Sequence, residues 1–221
     1  MGFFDYSWSI KDRIFDDFKT TLYMLFFSAI FAGLLGLILG IIMVVTDRGR
    51  ILENKVVYSI LDKLTNIFRS IPFVILLALV APLTRFIVDT RIGPKAAIVP
   101  LVVSCVPFFA RQVEQALAEV DPGVIEAAEA MGKSPFEIIT SVYLREGLPN
   151  LIRAGSITLI SLLGLTAMAG LIGGGGIGDL AISVGYNRYK DDVVLVSVVL
   201  ILLVVFIIQA IANYLIRKTK H

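Results

Sequence analysis

Apolar residues along this chain gather into long runs separated by short polar stretches. Thr21 to Val45, TLYMLFFSAIFAGLLGLILGIIMVV, carries no charge. A helix crosses a bilayer with about 20 mostly apolar residues, so this is the first expected span. The polar stretch TDRGRILENK follows. The next run is amphipathic in its first half, with Asp62, Lys63 and Arg69, and apolar in its second. It predicts a helix that starts in the interface and crosses from about Ile67 to Phe86. IGPKAAIVPLVVSCVPFFARQVEQALAEV is the third span, with Pro100 and Pro107 inside it; proline removes a helix hydrogen bond and kinks the rod. LIRAGSITLISLLGLTAMAGLI is the fourth, and Val193 to Ile216 the fifth. The fold class is therefore all-α, a polytopic membrane protein forming a single domain over 1–221. Residues 1–20 mix aromatics with charges and read as an interfacial N-terminal segment, with Tyr6 and Trp8 at headgroup depth.

The polar stretch between spans three and four has a different grammar. Asp121-Pro122 reads as an N-cap followed by proline at the first helical position. A helix follows to Met131, and Gly132 fits the left-handed position that ends it. Ser134-Pro135-Phe136-Glu137 is a capping box that starts a second helix. On the first helix, Val124, Ala128 and Met131 share a face, with Glu126 and Glu129 off it. Residues 121–145 thus form a helical hairpin hinged at Gly132-Lys133-Ser134. Gly-Lys-Ser also ends a nucleotide-binding P-loop, but the earlier glycine which that motif needs is Ala127, and no strand precedes it.

Composition agrees with a membrane protein. Hydrophobic residues make up 57% and charged residues 17%, against about 25% charged in soluble domains. The net charge of +2 gives no basic surface for nucleic acid. One cysteine, Cys105, and one histidine, His221, leave no material for a metal site or His-based catalysis. No nucleophile–base pair stands out for a hydrolase. The centres of spans one, four and five hold no Asp, Glu, Lys or His, the groups by which gradient-driven carriers work. Lys and Arg divide ten to eight in favour of the C-terminal side, which places the N-terminus outside and the C-terminus in the cytoplasm.

Glu126-Ala127-Ala128, with Gly132 four residues later, resembles the EAA-x3-G motif of permease subunits of bacterial ABC importers. FRSIPFVILL, AAIVPL, AMAGLIGGGGIGDLAI and GYNRY look like the methionine branch of that family, though related permeases move other amino acids. The family's I-x-L-P continuation reads here Val142-Tyr143-Leu144-Arg145, without the proline. The resemblance implies a type I ABC importer permease fold in the bacterial inner membrane and a coupling role for Glu126, Ala127, Ala128, Gly132 and Ser134. It implies no cofactor on this chain, with ATP and Mg on a separate ATPase. The implied partners are a second copy of the chain (a homodimer), two ATP-binding subunits, an extracytoplasmic substrate-binding protein and membrane lipid. Gly173, Gly174, Gly175 and Gly176 either end a tightly packed helix or form a broken segment of the pathway. Met168 is either ordinary packing or a gate side chain. Arg69 either snorkels at a kink or meets a carboxylate. A secondary carrier and a membrane scaffold are the rival classes.

Overall fold

The computed structural model describes residues 3–219; Lys220 and His221, used above in the charge comparison and the metal argument, lie outside them. The helices in chain order are α1 (Asp5–Ser9), α2 (Lys11–Thr46), α3 (Lys55–Ser70), α4 (Phe73–Leu79), α5 (Ala81–Val88), α6 (Pro94–Ala118), α7 (Pro122–Ala130), α8 (Pro135–Ile138), α9 (Leu144–Glu146), α10 (Leu148–Ala169), α11 (Ile177–Asp179) and α12 (Asp191–Thr219). Wider π-helical turns occupy Ile139–Tyr143, Gly170–Gly174 and Leu180–Tyr186. No strand occurs among the described residues.

Four helical segments, Lys11–Thr46, Pro94–Ala118, Leu148–Gly174 and Asp191–Thr219, are long and apolar enough to cross a membrane. They correspond to expected spans one, three, four and five. The second expected span is in pieces. Pro72 lacks an N–H and interrupts the helix between α3 and α4, and Pro82 sits in the first turn of α5. None of the three pieces, α3, α4 and α5, alone has a spanning length. α6, by contrast, runs unbroken through Pro100 and Pro107. α2 passes position 20 without interruption, so the charged N-terminal turns and the first span are one helix.

The chain divides into two compact units. The first comprises residues 1–31, 71–104 and 159–209. Its core is Ile177, Leu180, Val184 and Val193, covered by Tyr6, Ile10, Ile14 and Phe18 of the N-terminal helices. Asp192 Oδ2 accepts hydrogen bonds from the Ser7 amide at 2.7 Å and the Ser7 hydroxyl at 2.6 Å. Tyr6 is half-buried against this core, and Trp8 is exposed.

The second unit comprises residues 32–70, 105–158 and 210–221. Here α2 lies close against α6. A Cβ on Gly40 would come within 2.6 Å of the Ala110 oxygen and Val113 Cβ, and one on Gly36 within 2.9 Å of Phe109. Small residues four apart let two membrane helices bring their backbones together. The core of this unit joins the ends of these helices to the hairpin: Val44, Val45, Val113, Leu117, Val120, Ile125, Ala128, Ile138, Val142 and Tyr143.

Candidate functional site

The hairpin is built by local chemistry. Asp121 Oδ1 accepts from the Gly123 amide at 2.8 Å and caps α7. At the other end, the Gly132 amide donates to the Glu129 oxygen at 2.9 Å and the Lys133 amide to the Ala128 oxygen at 3.2 Å. This pair of bonds is the Schellman closure, and it requires the left-handed backbone that Gly132 adopts at φ 76°. Ser134 and Glu137 complete the capping box. Ser134 Oγ accepts from the Glu137 amide at 3.4 Å, and Glu137 Oε2 accepts from the Ser134 amide at 2.8 Å. The Ser134 hydroxyl and amide hold the Glu137 carboxyl below its ordinary range. Lys133 Nζ donates to Ser141 Oγ at 3.0 Å, tying the hinge to the second arm. That arm continues through the π-helical turn to Glu146. Gly147 then interrupts it where a Cβ would meet Leu117 and the Tyr143 oxygen at 2.6 Å.

The hairpin is fixed to its own unit by Ile125 and Ala128 on one arm and Ile138, Val142 and Tyr143 on the other. Ala128 is only 1% exposed and packs in the chain's own core, so within this unit it seats α7. Val124 and Met131, which share its face in the sequence pattern, are exposed. The buried stripe of α7 runs through Ile125 and Ala128. Outward-facing groups are Glu126, Ala127, Glu129, Gly132 and Ser134, together with apolar Val124, Met131 (70% exposed) and Phe136 (74%). Large exposed apolar groups beside carboxylates mark a surface suited to another protein. Beside them a polar cleft is lined by Arg50, Glu126, Glu129 and Tyr143. Burial pushes the Tyr143 hydroxyl up, against the lowering effect of Arg50.

The base of the hairpin is held by groups not singled out in the sequence. Arg50 Nη2 donates to the Ala118 oxygen at 3.1 Å, at the end of α6, and Asn150 Nδ2 donates to Glu119 Oε2 at 2.7 Å. One layer up, Arg111 bridges Asp62 and Glu114, with Nη1 at 2.6 Å from Glu114 Oε2. Tyr58 donates to Glu114 Oε1 at 2.9 Å. Burial, then the Glu114 carboxylate, pushes the Tyr58 hydroxyl up to about 12. Asp62, on the polar face of the amphipathic α3, is half of an ion pair that joins α3 to α6. The signal available in the sequence was an acid on the polar face of an amphipathic helix and an Arg–x–x–Glu at the end of a span.

Met168 and the glycine run belong to the other unit. Met168 is exposed on α10. The glycine run is a broken segment: Ile172 and Gly173 leave helical geometry, and Gly173, Gly175 and Gly176 have positive φ. The Gly173 oxygen accepts from the Gly93 amide at 2.9 Å. The Thr21 hydroxyl accepts from the Ile177 amide at 2.8 Å, and a Cβ on Gly176 would reach that hydroxyl oxygen at 2.6 Å. The run is thus both broken and closely packed. Arg69 is exposed in the last turn of α3, where its charge suits the helix C-terminus. No group of three or more His, Cys, Asp or Glu fit for a metal occurs among the described residues.

The sequence profile of the family described as "Binding-protein-dependent transport system inner membrane component" matches residues 32–221. The chain belongs to this family. Like the family, it is a multi-pass inner membrane protein and a transport permease. It is 43% identical over 201 residues to the probable D-methionine transport system permease protein MetI of Pasteurella multocida, covering 91% of this chain and 93% of that one. It is 49% identical over 168 residues to the methionine import system permease protein MetP of Bacillus subtilis, covering 76% of each. A solved structure of inward-facing conformations of the MetNI methionine ABC transporter superposes with a TM-score of 0.93 at 42% identity, covering 96% of this chain and 99% of that one. An amino acid ABC transporter crystallised with histidines superposes at 0.79 with 16% identity, a likeness of fold alone.

Proposed function

We propose that this permease is the membrane-spanning subunit of an ATP-driven importer of methionine. The observation that carries the reading is its kinship, across nine-tenths of its length, with permeases named for methionine transport. The hairpin supports the coupling role. It is closed at both ends by caps, anchored on one side to its own unit and bare on the other. A short helix marginal in water alone is thereby made rigid enough to transmit a push.

In this reading two copies of the chain form the translocation path, and each offers its hairpin to one ATP-binding subunit. ATP and Mg2+ are held by those subunits, which perform the hydrolysis. Glu126, Ala127, Gly132 and Ser134 serve the coupling surface. An extracytoplasmic binding protein delivers substrate on the side of the N-terminus, and the C-terminus faces the cytoplasm. Met168 and the glycine break at 173–176 line the path, with one Met168 side chain from each copy closing it.

The test is reconstitution of the chain with its ATPase and binding protein in liposomes. ATP-dependent uptake of labelled methionine is expected. Uptake of a different amino acid in its place would move the assignment to another branch of the family. Accumulation driven by a proton or sodium gradient without ATP would overturn the mechanism.

A further inference from the structure

In the first unit a groove of about 460 Å³ runs between the N-terminal part of α2 and the start of α6. It is lined by Lys19, Thr20, Tyr23, Thr90, Ile92, Gly93, Pro94 and Lys95. We propose that this groove binds an anionic phospholipid, with the phosphate between Lys19 and Lys95 and an acyl chain along Tyr23, Ile92 and Pro94.

Both hydroxyls from threonine are engaged locally: Thr20 donates to the Asp16 oxygen at 2.9 Å, and Thr90 donates to the Ile92 oxygen at 3.1 Å while accepting from its amide at 3.2 Å. Lys95 has no ion pair among the described residues. It sits in the first turn of α6, at the positive end of a 25-residue helix whose first turn contains no acid. A cation there repels the helix dipole and is relieved by an anion. Lys19 lies 3.4 Å from Asp16 and 4.1 Å over the Phe15 ring. Its pairing with Asp16 is exposed, and such pairs contribute little, so a phosphate can compete for the ammonium.

The lining favours an anion over a zwitterionic solute: it contains no Asp or Glu, and the carboxylate beside it, Asp16, is paired with Lys19. What remains is two cations on an otherwise largely apolar trough, the complement of a lipid anion with a hydrocarbon tail. Both lysines stand at one end of membrane-crossing helices, Lys11–Thr46 and Pro94–Ala118. Lysine there keeps its charge at headgroup depth while its methylenes lie along apolar surface.

The experiment is native mass spectrometry of the full-length chain purified with its transporter complex. The probes are phosphatidylglycerol and phosphatidylcholine with identical acyl chains. Phosphatidylglycerol is expected to be retained in preference. Lys19→Gln with Lys95→Gln should lower its retention roughly thirtyfold, since each of the two basic residues contributes on the order of 1 kcal/mol near an anionic surface. Lys19→Arg with Lys95→Arg should retain it, and Lys63→Gln, outside the groove, should change nothing. Equal retention of the two lipids, or undiminished phosphatidylglycerol on the double glutamine variant, would overturn the proposal. So would loss of the lipid to millimolar inorganic phosphate, which would assign the groove to a soluble anion.

Discussion

Gly132 gives the sharpest test of how the hairpin works. It sits at φ 76°, and a Cβ built on it meets nothing within 4 Å. Any cost of substitution is therefore conformational rather than steric. Alanine in the left-handed region costs about 1–2 kcal/mol, and a β-branched residue more. Since 1.4 kcal/mol is a factor of ten, Gly132→Ala should reduce the population of correctly closed hairpins by roughly 5- to 30-fold relative to any open form. Asparagine tolerates the left-handed conformation, and the space around Gly132 leaves room for it. The expected order of damage is Val worst, then Ala, then Asn. Two assays check it on the assembled transporter: substrate-stimulated ATP hydrolysis, and hydrogen exchange of the Gly132 and Lys133 amides, whose bonds to Glu129 and Ala128 close the helix. If Asn proves as harmful as Val, size rather than φ is decisive and the reasoning fails.

Four further outcomes are expected. Gly40→Ala forces a methyl to 2.6 Å from α6 and should cost about 1–3 kcal/mol as overpacking, whereas Gly33→Ala, with open space around it, should be neutral; thermal denaturation in detergent compares them. Arg111→Met leaves the Glu114 and Asp62 carboxylates without their cation and should destabilise by about 3–5 kcal/mol if both remain charged; adding Glu114→Gln to that variant should recover part of the loss in the same assay, and a simple sum of two losses would contradict the network. Ser134→Ala should remove about 1 kcal/mol of capping and, with it, part of a pH dependence. Because Glu137 is held below its ordinary value of 4.5, its contribution is complete above that pH and disappears as pH falls through the lowered value; hydrogen exchange of the amides following Glu137 should show this acid-side loosening in the parent and less of it in the variant, which keeps only the backbone amide donor at position 134. Met168→Ala should raise leak or uncoupled ATP use in the reconstituted transporter, and unchanged behaviour would remove Met168 from the gate.

The hairpin's ends were legible because capping is local. Asp121, Gly132, Ser134 and Glu137 act on amides within five residues of themselves, so their chemistry can be read before any fold exists. The apolar runs were legible for a similar reason: bilayer thickness sets the length of a span whatever lies beside it. Proline 72 was visible too, yet its effect was not, because Pro100 and Pro107 lie in a helix that stays whole. Whether a proline breaks a helix depends on neighbours that satisfy the freed carbonyl.

The amino-acid order alone thus determined an all-helical membrane chain, its approximate spans, a hinged hairpin with named caps and the positive φ of Gly132. Only the tertiary structure decided that α7 buries Ile125 and Ala128 rather than Val124 and Met131. It also decided that Asp62 pairs with Arg111 across 49 positions, and that Gly36 and Gly40 admit α6. Those outcomes depend on surfaces brought together from distant parts of the chain. A helix of this composition has more than one apolar stripe, and the partner it meets selects among them.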